Sequence, residues 1–192
     1  MILDIVRKAF GDKTVFRNFH LEIENRCHRY MIEGPSGCGK TTLMRIIAGL
    51  DADYEGSMSD PVSRPIVLFQ ENRLVECLSL EANLKAVSED EEMISYVLKG
   101  LSIDGELKNP VSSLSGGMKR RAAIARALLA GYDSLLLDEP FTGLDECMID
   151  RTAEFIMKEA GDRLIIAISH DRDDEKRFDA SPIILGEGDV YL

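Results

Sequence analysis

No stretch of this chain stays apolar for the roughly 18 residues that a membrane-crossing helix needs, so no helical span is expected. The opening segment, MILDIVRKAF, also lacks a basic region leading into an apolar core and a small-residue cleavage site, which argues against a secretion signal. The expectation is a soluble, cytosolic chain that is free to dock on a membrane protein. Paired cysteines are missing too. Cys27, Cys38, Cys77 and Cys147 form no CxxC, and His20, His28 and His170 fall at no metal-ligand spacing. These thiols read as reduced side chains, neither a disulfide framework nor a zinc site. A basic excess is absent: 23 Lys and Arg face 34 Asp and Glu, a net charge of −11. Nucleic-acid backbones are usually met by basic surfaces that release counterions, so no nucleic acid is expected as partner. A local loop of N–H groups can still hold an anion against that field. There is no internal repeat, low-complexity tract or interdomain linker, and 192 residues are enough for one well-buried domain over 1–192.

What is present alternates between strand and helix patterns. FRNFHLEI (16–23) alternates apolar and polar residues as a half-buried strand does, and RYMIE (29–33) reads as a short strand entering a glycine-rich stretch. Beyond it, Leu43, Ile46, Ile47 and Leu50 recur at helical spacing, with Gly49 near the helix end. PIVLF (65–69), SLLLDEP (134–140), RLIIAISH (163–170) and SPIILGEG (181–188) read as further strands. Between them, residues 79–101 are acidic and helix-favouring, with SEDEE (88–92) as a solvated helix start. SGGMKRRAAIARALLAG opens a strong helix whose Ile124, Leu128 and Leu129 face inward. This order predicts an α/β fold with a mainly parallel sheet, an N-terminal antiparallel β region and a small helical subdomain inserted at about 78–130.

GPSGCGKTT (34–42) sits between a strand and a helix and fits G-x-x-x-x-G-K-[ST] in full. Glycines let the backbone itself approach a phosphate, and the amides from Gly37 to Thr41 are set to wrap it at a helix N-terminus. Lys40 then reaches the outer phosphates, and the Thr41 hydroxyl is placed to ligate Mg²⁺. Gly34, Pro35, Ser36, Gly37, Cys38, Gly39, Lys40, Thr41 and Thr42 are therefore the expected nucleotide-binding run, Cys38 through its backbone alone. Asp138 and Glu139 close the SLLLD strand, where an open α/β sheet binds its ligands. Asp138 can hold Mg²⁺ through its water shell, and Glu139 can act as general base on an attacking water. Together these groups describe a P-loop NTPase fold. LSGGMKRR (114–121) adds a serine and two glycines at the start of a helix, either a second anion site or an N-cap serine in a flexible turn.

At this point the chain resembles the nucleotide-binding subunit of ATP-binding cassette (ABC) transporters, over nearly its whole length. GPSGCGKT matches the family's Walker A, Gln70 in LFQEN its Q-loop, and LSGGM its signature. LLLDEP matches Walker B, Gly143-Leu144-Asp145 the D-loop, and His170 in SHD the switch histidine. Alone, Gln70 and His170 would read as polar residues ending strands; their place in the ordered set implies catalytic roles. Phe10, in KAFG, stands where the family stacks an aromatic on adenine, though it could also be a core residue. The resemblance implies ATP and Mg²⁺, with Gln70 sensing the metal and the lytic water and His170 contacting the γ-phosphate. It also implies two cassettes facing head to tail, so that Ser115, Gly116 and Gly117 of one cover the nucleotide held by the other, with Asp145 at the seam.

The partners so implied are a second ATPase subunit, as a homodimer in the complex, a separate membrane permease and a solute-binding protein. The location implied is cytoplasmic, peripheral on the inner face of the cell membrane. FQENRL followed by SLEANL is similar to the importer branch serving nitrate, sulfonate or taurine, with the permease-facing surface near 70–83. Departures from the family are LVECL (74–78) in place of an LLPWL-like run, His28-Arg29 in place of Gly-Glu, and Arg120 in place of a common glutamine. The ending of the chain soon after His170 leaves no C-terminal regulatory extension expected. Soluble family members working on nucleic acid or ribosomes carry coiled-coil insertions or tandem basic cassettes, which this acidic chain does not match. A non-hydrolysing nucleotide module is disfavoured by the joint presence of Lys40, Glu139 and His170.

Overall fold

The computed structural model of the chain describes residues 1–23, 29–171, 173–186 and 190–191; Cys27 and His28 lie outside the described residues. Two sheets organise it. Strands β1 (Ile2–Phe10), β2 (Lys13–Glu22) and β4 (Glu55–Ser59) form an antiparallel sheet in the order β2-β1-β4. The second sheet runs β5 (Pro65–Leu68), β6 (Ser134–Asp138), β7 (Leu164–Ile168), β3 (Arg29–Glu33), β8 (Ser181–Leu185), β9 (Val190–Tyr191). Its strands are parallel except β9, which pairs antiparallel with β8. The predicted antiparallel region and mainly parallel sheet are both present.

The central strands are apolar without interruption because both of their faces are covered, the pattern of a buried parallel sheet. Every residue of β6 is buried. Side chains alternate strictly between two cores. Met31, Leu135, Leu137, Ile165 and Ala167 pack on one face with residues of α3 (Glu91–Gly100), α4 (Gly116–Leu129) and α5 (Glu146–Ala160). Tyr30, Ile32, Leu136, Ile166 and Ile168 turn the other way, onto α1 (Lys40–Ile47) and the inner side of the antiparallel sheet. Two further short helices, α2 (Leu80–Lys85) and α6 (Asp173–Phe178), complete the chain.

Local signals set the helix starts. Ser79, Asp90, Ser115 and Asp145 each accept a hydrogen bond from the backbone N–H three residues on, capping α2, α3, α4 and α5. The acidic 79–101 stretch forms two helices, the second starting at Glu91 within SEDEE (88–92). β1 and β4 were not singled out from the sequence. In β1 the inward positions shift from Leu3 and Ile5 to Lys8, so period-2 alternation fails within the strand. β2 carries the matching irregularity at Asn18, whose φ is 49°.

Leu136 is fully buried at the middle of β6. Leu136→Ala should lower unfolding free energy by about 2–5 kcal/mol through lost transfer and an unfilled cavity, measured by denaturant titration.

Candidate active site

Three parallel strands end at one level. Ile168 of β7 lies opposite Ile32 of β3 on one side and Asp138 of β6 on the other. The chain therefore leaves the sheet at Gly34, Glu139 and His170 along one edge, and Gln70 leaves just beyond β5. Carboxyl ends of parallel strands are where such sheets hold ligands. Between these exits lies a cleft of about 350 Å³ whose lining includes Ser36, Gly37, Gly39, Lys40, Thr41 and Thr42 from the loop. Gln70, Asp138, Glu139, His170 and Phe10 line it as well. Pro35 and Cys38 face an adjoining hollow that shares Ser36 and Gly37 with the cleft.

The loop needs its glycines for space as well as conformation. A Cβ on Gly39, at φ 108°, would stand 2.6 Å from Val15 and 2.7 Å from the Phe16 ring. One on Gly34 would meet the Leu185 carbonyl at 2.6 Å. Gly39 is the N-cap of α1 and offers no side chain to the first turn, so that turn keeps its N–H groups for an anion. The buried Lys40 curls back into the loop, donating to the carbonyls of Gly34 at 2.7 Å and Pro35 at 3.1 Å. Its ammonium is thereby held inside the concavity that the amides enclose.

The carboxylates divide their roles by environment. Asp138 accepts a 3.0 Å hydrogen bond from the Thr41 hydroxyl, which brings two hard oxygen donors together. Burial pushes its pKa up, with the Thr41 bond and Arg120 opposing. Glu139 has φ 51°, a left-handed conformation uncommon outside glycine, and its N–H donates to Ile168 O at 3.0 Å. Its Oε1 is buried without a hydrogen bond among the described residues and lies 3.3 Å from Nε2 of His170. Burial raises the Glu139 pKa as well, with the nearby His170 the largest opposing influence. An ionisable carboxylate lining the cleft beside an imidazole can serve as a general base.

Phe10 is 53% exposed at the mouth, so the core reading of this residue does not hold. Behind its ring, the buried Lys8 ammonium sits 4.6 Å from the centroid and is anchored to Asp51 at 2.7 Å and the Asp53 carbonyl at 2.6 Å. Lys8 was missed in the sequence. The register shift between Lys8 and Ala9 breaks the alternation that would have related it to Phe10.

Ser115, Gly116 and Gly117 do not line the cleft. The Ser115 hydroxyl caps its own helix, accepting from the Met118 N–H at 3.3 Å. Gly117 is pressed against the 143–145 turn: a Cβ there would be 2.9 Å from Gly143 O and 3.2 Å from Leu144. Asp145 caps α5 through the Met148 N–H at 3.0 Å. The 115–117 stretch therefore lies apart from the cleft that the 34–42 loop lines.

Comparison with known proteins agrees with this geometry. A sequence model of the ABC transporter family matches residues 16–142. The aliphatic sulfonates import ATP-binding protein SsuB 2 of Burkholderia lata is 37% identical over 185 residues, spanning 90% of this chain and 67% of the relative. SsuB 2 of Burkholderia cenocepacia is 40% identical over 154 residues, 74% of this chain, and the match spans only 57% of that protein. The Pseudomonas syringae pv. tomato protein of the same name is 32% identical over 191 residues, 97% of this chain and 82% of its own length. Among solved structures, a dimeric ATP-binding cassette in a post-hydrolysis state bound to ADP and Pi superposes with a TM-score of 0.83. That match covers 100% of this chain and 97% of the other at 23% identity, a likeness of fold.

Gly39→Ala should weaken binding of a fluorescent ATP analogue at least about tenfold, because the added methyl collides with Val15 and Phe16 of β2 and forces the loop away from its φ of 108°.

Proposed function

This chain belongs to the ABC transporter family, and on that footing we propose that it is the ATP-binding and ATP-hydrolysing subunit of a transporter whose membrane permease is a separate chain. The observation that carries the reading is the convergence of Lys40, the Thr41–Asp138 pair and the Glu139–His170 pair on one cleft. In it, the loop amides and Lys40 grip the phosphates, Phe10 stacks on the base, and Glu139 accepts the proton of the attacking water. His170 and Gln70 orient that water and the terminal phosphate. Thr41 and Asp138 offer the oxygen donors that Mg²⁺ prefers, joined by Gln70, and the ion when bound neutralises phosphate charge.

Residues 1–192 act as one ATPase domain, with 78–130 as its helical subdomain. A second copy completes the cleft by presenting Ser115, Gly116 and Gly117 to the nucleotide. Their absence from their own chain's cleft supports this, as does the physical value of charge stabilisation delivered in trans. Closure on ATP and reopening after hydrolysis then move the permease, with the chain cytoplasmic and peripheral on the inner membrane face. No helix among the described residues is long and apolar enough to cross a membrane. The names of the relatives favour uptake of an aliphatic sulfonate or a similar small anion, with a solute-binding protein as a further partner.

Glu139→Gln should lose turnover and accumulate ATP-bound dimers visible by size-exclusion chromatography. A monomeric variant with full turnover would show that Glu139 is not the base. Wild-type specific activity should rise with protein concentration, since a lone protomer binds ATP without a complete cleft. A raised Glu139 pKa means the base protonates early as pH falls. The acid limb of the kcat profile is therefore expected above the ordinary glutamate value of 4.5, and His170→Ala should move it higher still by removing the main opposing influence.

A further inference from the structure

Arg120 is the largest side chain in the fully buried set, at 2% exposure, and none of its hydrogen-bond acceptors is a carboxylate oxygen. Its Nε donates to the Pro140 carbonyl at 3.0 Å. Nη2 donates to the carbonyls of Asp138 at 2.5 Å and Glu139 at 2.7 Å. Nη1 donates to the Phe69 carbonyl at 2.6 Å and more weakly to Gln70 O at 3.3 Å and Asn72 Oδ1 at 3.2 Å. A guanidinium has five N–H donors in a rigid plane, and here all three of its nitrogens are engaged. Burial of a charge is costly unless something specific is obtained from it. Desolvation lowers the Arg120 pKa only to about 10, so the group remains cationic at neutral pH.

The acceptors come from two segments far apart in sequence: the turn after β5 that carries Gln70, and the end of β6 that carries Asp138 and Glu139. The second is strained, since Glu139 is a non-glycine residue with positive φ. Such a conformation persists only where its surroundings over-determine it. Here the N–H is tied to Ile168 O and the carbonyl to Arg120.

We propose that Arg120 is a positioning residue for the reaction: its guanidinium locks the backbones that carry Gln70 and Glu139 to one another and to helix α4, which begins beside Ser115. Any shift of α4 imposed by a nucleotide on the partner copy is delivered through this side chain to the base and the Q-loop of its own cleft. The two clefts of a dimer are thereby linked by one rigid fork. The inference rests on the ATPase reading above and assigns to it the part that sets geometry.

The test uses the full chain with Arg120→Gln, Arg120→Lys and Glu139→Gln side by side. Glutamine supplies two N–H donors and no charge; lysine keeps the charge but loses the planar fork. Because misplacement of a catalytic group by about 1 Å costs on the order of 10²-fold, Arg120→Gln should lower kcat at least about tenfold. Nucleotide Kd should stay within about threefold, since none of the hydrogen bonds of Arg120 goes to a residue of the 34–42 loop. Arg120→Lys should restore only part of kcat. Unchanged kcat in Arg120→Gln, loss of binding in step with kcat, or full restoration by lysine would each overturn the proposal. If Arg120→Gln does not fold, Arg120→Lys carries the test: reduced kcat at unaltered Kd supports the assignment, and full turnover refutes it. Glu139→Gln separates the two levels. Turnover retained there would overturn the ATPase chemistry itself, whereas turnover lost there but intact in Arg120→Gln would overturn only the role of Arg120.

Discussion

The hydrogen bond from the Thr41 hydroxyl to Asp138, at 3.0 Å, joins the first turn of α1 to the end of β6 across the cleft floor. It can form only because β3, β7 and β6 end at the same level, with Ile168 in register with both Ile32 and Asp138. A one-residue slip in either pairing would turn Asp138 toward the opposite face and separate the two oxygens. That register is enforced by the two cores, whose side chains alternate along all three strands. The geometry of the proposed phosphate and metal site is in this sense a consequence of apolar packing on both faces of a parallel sheet.

Around that floor, an acidic protein buries its cations selectively. Lys8, Lys40 and Arg120 are all buried, and each reaches backbone carbonyls. Lys8 backs the ring of Phe10, Lys40 occupies the phosphate loop, and Arg120 gathers the carbonyls behind Glu139. Cations buried around this cleft offset the negative net charge of the chain where an anion would enter. A contrasting group lies on the outer side, where Arg177 bonds Asp174 at 2.8 Å, Asp150 at 2.8 Å and Glu146. It connects the segment after His170 with α5, which follows the 143–145 turn.

Much of the site was legible because its chemistry demands particular residues at fixed spacing. Gly34, Gly37 and Gly39 are favoured by positive φ, and Gly34 and Gly39 also by contacts that a Cβ would not survive. The Lys40-Thr41 pair closes a glycine-rich loop that opens a helix, and the Asp138-Glu139 pair ends an apolar strand. β1 and the roles of Lys8 and Arg120 were hidden for the opposite reason. A lysine or an arginine in a charged stretch such as KRR reads as solvated surface, and only the presence of acceptors from distant segments makes its burial tolerable.

Sequence by itself determined much of the local conformation: the strands of the parallel sheet, the start of the helix at Ser115, and the glycine-rich loop between β3 and α1. These depend on side-chain size, φ preference and neighbours within a few residues. Tertiary structure alone decided which of those pieces meet. It brought Glu139 within 3.3 Å of His170, put Lys8 behind Phe10, and gave Arg120 six carbonyl and amide oxygens from two separate turns. It also kept Ser115 to Gly117 out of their own cleft. Those meetings follow from strand order and register, which arise from the packing of residues remote in sequence and so carry no local signature.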